Sequence, residues 1–177
     1  TAFSGAVNIV TRTAPHTGGR VNVEGGSFGT FGGNAAVSWN PSASLQQQLS
    51  GGYMQSDGGT ANSDFRKRRG FYQGGFNSPF VRLNWQASIT SQDFGANTFY
   101  SSRFPNQYEA TRRYIASASA SVRPFARSAN ATASSFEIKP MLYGHRNYDH
   151  FQLTRGKTGA RAGENYHRLD VYGAAID

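Results

Sequence analysis

Phe31-Gly32-Gly33-Asn34-Ala35-Ala36-Val37-Ser38-Trp39-Asn40 is the stretch that decides the fold. Its odd positions, Phe31, Gly33, Ala35, Val37 and Trp39, are apolar and carry an aromatic ring at each end. Its even positions are Gly32, Asn34, Ala36, Ser38 and Asn40, all small or polar. Side chains of a strand alternate between two faces, so the segment is a strand with one apolar and one polar side.

The same period recurs along the chain. Val81, Leu83, Trp85, Ala87 and Ile89 alternate with Arg82, Asn84, Gln86, Ser88 and Thr90. Tyr114, Ala116, Ala118, Ala120 and Val122 alternate with Arg113, Ser117, Ser119, Ser121 and Arg123, with Ile115 as the exception. Leu45, Leu49 and Tyr53 share a face, as do Val21 and Val23, and Tyr72 and Phe76 around Gly74. Phe136, Ile138 and Leu142 set against Glu137, Lys139 and His145 give a weaker case, and Leu169, Val171 and Ala175 share a face near the C-terminus. No apolar stripe repeats at 3.6 residues for long. The chain therefore reads as all-β, with about eight strands, several near ten residues, against about five or six in ordinary globular domains.

Composition narrows the class. Of 177 residues 21 are Gly, aromatics make up 14 %, and charged residues only 16 %, where about 25 % is usual. The absence of Cys excludes a disulfide framework and a Cys-based zinc site. No run reaches the roughly 18 apolar residues of a membrane-spanning helix. Strands near ten residues suit a tilted bilayer crossing instead. The polar faces hold Ser, Asn, Gln and Gly with few Lys or Glu, and aromatics sit near the ends of apolar faces, as membrane-interface girdles would place them. Connections alternate in character. Pro41–Ser44, Asn77–Pro79 and Pro124–Ala133 are short or moderate and rich in small residues. Asp57–Arg66, Phe94–Thr111 and Asp149–Asn165 are longer, polar and aromatic. Together these features predict an antiparallel up-and-down transmembrane β-barrel with turns at one end, large loops at the other and a polar lumen.

Ser4-Gly5-Ala6-Val7-Asn8-Ile9-Val10-Thr11-Arg12 resembles the end of the plug domain of TonB-dependent outer-membrane receptors. Asp93-Phe94-Gly95-Ala96-Asn97-Thr98-Phe99-Tyr100, continuing through Phe104-Pro105-Asn106-Gln107-Tyr108-Glu109, resembles a loop of the vitamin B12 (cobalamin) receptor-like branch. Asn165-Tyr166-His167-Arg168-Leu169-Asp170-Val171-Tyr172-Gly173 is similar to a strand start in the same branch. The resemblance implies a barrel of about 22 strands around an N-terminal plug, of which this chain is an internal, incomplete piece. Residues 1–12 would be the end of the plug, 13–18 a linker, and 19–177 the N-terminal part of the barrel. It implies a receptor in the bacterial outer membrane that binds a scarce large nutrient, cobalamin or siderophore-like, and imports it with energy relayed by the TonB complex through the missing N-terminal region. It implies no catalysis and no cofactor.

Within the Phe94–Thr111 loop, Phe99, Tyr100, Arg103, Phe104, Asn106 and Tyr108 are the candidate ligand contacts, since rings beside a cation suit a large planar or amphipathic ligand. In the cobalamin receptor the loop corresponding to Asp57–Arg66 holds calcium through several Asp residues. Here Asp57, Asn62 and Asp64 fall short of the six to eight oxygens calcium takes, so no metal is expected. Arg66-Lys67-Arg68-Arg69 is the densest charge run, a hydrated strand end facing lipid and lipopolysaccharide head groups. His145, His150 and His167 match no metal-site spacing. Three rivals stand beside this reading: a complete eight-stranded barrel acting as a structural anchor or adhesin, a small-barrel outer-membrane enzyme, and a basic nucleic-acid binder suggested by the net charge of +8. The plug-like opening, the lack of a nucleophile turn and the segregation of rings from Arg count against them in turn.

Overall fold

The computed structural model describes residues 16–124 and 136–177. They form one antiparallel sheet of eight strands: β1 (Gly18–Gly25), β2 (Phe31–Ser42), β3 (Leu45–Ser56), β4 (Phe65–Asn77), β5 (Val81–Asn97), β6 (Gln107–Val122), β7 (Pro140–Gln152) and β8 (Glu164–Ile176). Each strand pairs with the next, giving the expected up-and-down order. β1 and β8 are the two edges and make no ladder with each other, so the sheet is open. The plug-like residues 1–12 lie outside the described residues, and so does most of 124–133. β1 begins at Gly18, one residue before the boundary expected from the sequence.

The strands are longer than the alternation suggested, 12 to 17 residues for β2 to β8. The ladder continues through segments where both faces are polar, such as Ser91-Gln92-Asp93, and there a hydrophobic period has nothing to register. The three large loops shrink accordingly to residues 57–64, 98–106 and 153–163. A fourth connection at the same end, residues 26–30, is short. At the opposite end Ser42 pairs with Leu45 across a two-residue turn. Ser78 closes the next connection, its backbone N–H donating to the Val81 carbonyl at 2.8 Å and its hydroxyl accepting the Val81 N–H at 3.1 Å.

Register assigns every strand residue to a face. The row Trp39–Gln47–Gly74–Trp85–Ala118–Leu142–Ala174 runs along the apolar face. The row Ser38–Gln48–Gln73–Gln86–Ser117–Tyr143–Gly173 runs along the other, with Gln73 donating to Gln48 at 2.9 Å. In β8, Leu169, Val171 and Ala175 share a face, and it is the polar one, where they oppose Asn147, His145 and Met141. Tyr172, Ala174 and Ile176 take the apolar side. Two alternating apolar sets coexist in β8, so hydrophobicity alone does not choose between them.

Among the described residues no second layer covers the sheet. Among the described residues Ala96 alone is a buried hydrophobic residue, and no large side chain is fully buried. Val21, Val23, Leu142 and Ile176 are 63–77 % exposed on the apolar face. The chain exposes 12501 Å2, against roughly 8,400 Å2 expected of a compact globular protein of its mass.

The upper limit of the apolar band crosses the ladder at a slant. In the row Tyr53–Arg68–Ser91–Arg112–Tyr148–Arg168, β3 is still aromatic, and its first purely polar outward residue, Gln55, lies two positions beyond the row. On β4, β5 and β6 the limit falls on the row, at Arg68, Ser91 and Arg112. On β7 and β8 it falls two positions earlier, at Arg146 and Asp170. Four residues of drift over five strand spacings is an inclination of about 30°, near the 35–45° tilt of barrel strands. A level boundary drawn across tilted strands has this form.

Glycines on the ladder seat aromatic rings. A Cβ on Gly74 would lie 2.4 Å from the Trp85 indole, and one on Gly173 would lie 2.2 Å from the Tyr143 ring. The Trp85 indole N–H donates to the Tyr72 hydroxyl at 3.3 Å, and that hydroxyl donates to Gln47. Gly74→Val should expel the indole from its seat. In a Trp39→Phe background it should shift the Trp85 emission maximum and lower stability by about 1–3 kcal/mol, as overpacking does. An unchanged spectrum and unfolding midpoint would contradict the seating.

Candidate functional site

The loop end is organised around three polar side chains from two loops. Asn62 sits in the left-handed region at φ 53, a conformation Asn tolerates better than most residues. From there its Nδ2 donates to the carbonyls of Pro105 at 3.1 Å and Gln107 at 2.6 Å, and its own carbonyl accepts the Asn97 N–H at 3.0 Å. Arg155 reaches in from the 153–163 loop. Its guanidinium forms a two-pronged bond to Asp64, at 2.5 and 2.9 Å, and a third bond to Asn62 Oδ1 at 3.2 Å. Its backbone N–H donates to the Asn106 carbonyl at 2.7 Å, and its charge lies 5.0 Å from the Tyr108 ring centroid. Gly95 lets the 57–64 loop close on β5: its N–H donates to the Asp64 carbonyl at 2.9 Å, and a Cβ there would be 2.5 Å from Asn62 Oδ1. The 57–64, 98–106 and 153–163 loops are thus one unit.

Electrostatics follow from this geometry. The hydrogen bonds from Arg155, more than its charge alone, hold the Asp64 carboxyl below the usual carboxylate range, and the same pair raises Arg155. The Asp57 segment faces another way. Its backbone N–H donates to the Phe28 carbonyl at 2.8 Å, and its carboxylate packs against Gly29, where a Cβ would meet Oδ2 at 2.2 Å. The oxygens of the would-be calcium loop are divided between Arg155 and the 26–30 loop. Among the described residues no group of three His, Cys, Asp or Glu side chains converges.

The six candidate contact residues separate into two groups. Asn106 and Tyr108 belong to the Arg155 scaffold, Tyr108 also meeting the His150 ring edge-on at 6.3 Å. Phe99, Tyr100, Arg103 and Phe104 form the outer crest. Phe99 is 79 % exposed and packs edge-on against Tyr100 at 4.8 Å, and Arg103 lies 5.7 Å over the Phe104 ring. Tyr100 folds over the polar face, its hydroxyl bonded to Glu109 and its ring edge-on to Phe151 at 5.8 Å. Partial burial, and then the Glu109 bond, push its phenol up to about 12.

Beneath this crest the register assembles a row the sequence did not single out: Phe65, Phe94, Glu109 and Phe151, neighbours on the polar face of β4 to β7. Phe65, Lys67, Gln92, Phe94 and Phe99 line a recess of about 420 Å3. Hydrophobic period does not reveal it, because Phe65 and Phe94 are apolar residues on the polar phase of their strands.

The remaining groups are dispersed. The Arg66–Arg69 run is a strand end, the first part of β4, and it divides two and two: Arg66 and Arg68 on the apolar face, Lys67 and Arg69 on the polar face. His145 is on the polar face opposite Ile115 and Val171. His150 is on the apolar face, stacked on Tyr166 at 4.3 Å and 2.8 Å from Glu164. His167 lies 3.5 Å from Asp149. Comparison with protein-family models, with curated proteins and with solved structures finds no match for this chain.

Arg155→Ala should free three loops at once. Amide exchange in residues 57–64 and 98–106 should quicken by several-fold, as loss of a partly exposed ion pair of about 1 kcal/mol allows. Asp64→Asn should act similarly, and the double variant should be little worse than either. Because the folded state lowers the Asp64 pKa, the pair's contribution is complete above the ordinary value of 3.8 and is lost as pH falls through the lowered one. Loop protection, corrected for intrinsic exchange, should be flat from about pH 7 to 5 and collapse only below about pH 4.

Proposed function

We propose that this chain is part of an outer-membrane receptor of the TonB-dependent kind. Its apolar face meets the bilayer and its polar face lines a lumen. Its clustered loops take a large nutrient, cobalamin or a siderophore-like compound, from outside the cell. Import is driven by energy relayed from TonB, with no chemistry performed on the ligand.

The observation that carries this reading is the uncovered apolar face bounded by a slanted polar limit. Burying a face that wide requires either a second layer or lipid, and the described residues supply no second layer. Backbone groups in lipid must be paired, which a continuous antiparallel ladder achieves everywhere except at its two edges. The unpaired edges of β1 and β8 favour a larger barrel over a closed eight-stranded anchor, because closure would join those two strands. The Gln- and Ser-rich row on the opposite face suits a wet lumen. At its loop end the aromatic recess and the Phe99–Phe104 crest suit a ligand with large apolar or planar surface and polar groups.

Two measurements test the two parts. The protein should require detergent or lipid for solubility; a monodisperse species in plain buffer would overturn the membrane assignment. Cells producing the full receptor that contains this chain should take up cyanocobalamin or a ferric catecholate siderophore, and a protonophore should abolish uptake. The Phe99→Ala/Phe104→Ala variant should lower surface binding by about tenfold or more, as loss of aromatic anchors does, while leaving the protein's abundance unchanged. Uptake indifferent to both the variant and the protonophore would sink the receptor reading.

A further inference from the structure

The apolar face carries an excess of guanidinium groups just above its band. Arg68, Arg112 and Arg168 share one register row on alternate strands. Arg66 lies two residues farther along β4, and Arg146 two residues nearer the band on β7. Two carboxylates accompany them. Asp170 is held by Arg146 at 2.5 Å and by Arg168 at 2.6 Å, and Asp93 stands opposite Arg66. Glu164, farther along the same face of β8, is a third acid, so five arginines less three acids leave two unbalanced positive charges on one side of one sheet.

Tyrosine rings are interleaved with these groups. Arg68 lies 5.8 Å from the Tyr53 centroid, and Arg146 and Arg168 lie 6.0 and 5.9 Å from that of Tyr148. Below the belt the surface is Leu49, Ile89, Ala116 and Leu142. Exposed arginines next to a hydrocarbon surface are unfavourable for an uncharged lipid boundary and favourable for an amphiphile whose anionic head and apolar chains meet at that level.

We propose that this belt binds a phosphorylated glycolipid of the outer leaflet. Arg68 and Arg112 each take a phosphate and the acyl chains lie along the apolar band, a proposal that rests on the membrane assignment above. Guanidinium forks match phosphate oxygens two at a time. Arg68 and Arg112 are two strand spacings apart, about 10 Å, and Arg168 is as far again. Cations so separated serve a head group with phosphates at both ends of a disaccharide better than a single phosphodiester. Arg146 and Arg168, already sharing Asp170, flank the site and keep Tyr148 in place.

The test is binding in nonionic detergent to four probes: diphosphoryl lipid A, monophosphoryl lipid A, phosphatidylglycerol and inorganic phosphate, read by native mass spectrometry. Diphosphoryl lipid A should bind best. Arg68→Gln/Arg112→Gln should weaken it by about tenfold, the effect of losing a charge-assisted contact. Arg69→Gln/Arg113→Gln, on the opposite face, should leave it unchanged, and circular dichroism should show both variants equally folded. Phosphatidylglycerol binding as tightly, inorganic phosphate competing equally well, or the outward variant retaining full affinity would each overturn the proposal. If the protein takes up detergent but does not discriminate among probes, this proposal alone fails; if it is monodisperse without detergent, the membrane assignment fails with it.

Discussion

Everything in this structure depends on a single-layer antiparallel ladder whose apolar face no other described residue covers. Most domains acquire their stability from a core between two layers. Here the backbone hydrogen bonds are made within the sheet, and the apolar side chains are turned outward together. The free energy of the folded state is therefore set by whatever medium lies against that face. In water the exposed Val, Leu, Ile and Tyr would favour association or a second layer. In hydrocarbon the same residues cost nothing to expose, and the paired backbone becomes the main source of stability.

That dependence explains features a soluble sheet would not need. Small residues let rings lie flat along the ladder, as Gly74 does for Trp85 and Gly173 for Tyr143. Tyr72 and Trp85 keep their polar atoms bonded to each other and to Gln47, so the apolar face presents carbon. The two ends are then secured differently. At the loop end Arg155 gathers three loops through Asp64, Asn62 and the Asn106 carbonyl. At the opposite end Glu137 bonds to Ser121, Lys139 and Arg123, bonds that hold its carboxyl down to about 2. That cluster ties the β6–β7 connection to β6 beside the Val122–Ile138 bridge.

The sequence revealed what has period two. The faces of β2, β5 and β6 could be assigned from Phe31–Asn40, Val81–Thr90 and Tyr114–Val122, because a one-residue slip would turn every apolar side chain over. It failed where that contrast disappears. In β8, Leu169 and Val171 compete with Tyr172, Ala174 and Ile176, and only pairing with β7 decides which set faces the apolar side. It failed again where strands outrun their apolar segments, so Phe65, Phe94 and Phe151 passed for loop. The Arg155–Asp64 clamp was out of reach for another reason. Its members are 91 residues apart, and nothing local in Asp64 or Arg155 marks them as partners.

The Arg66–Arg69 run shows how far a local feature depends on the ladder for its meaning. As a composition it is four adjacent cations, which should repel one another and suggest a solvated tail or a phosphate-binding patch. As the first part of a strand it is two pairs facing opposite directions, each pair joining a different set of neighbours. Lys67 and Arg69 enter the polar face beside Gln92 and Thr90. Arg66 and Arg68 join Arg112, Arg146 and Arg168, which come from strands far away in sequence. A net charge of +8, read as a total, describes neither face. The sheet sorts it into a share on the polar face and a share beside the apolar band. A guanidinium beside apolar surface gains from an acid or a ring close by, and the acids on this face are fewer than the arginines they accompany.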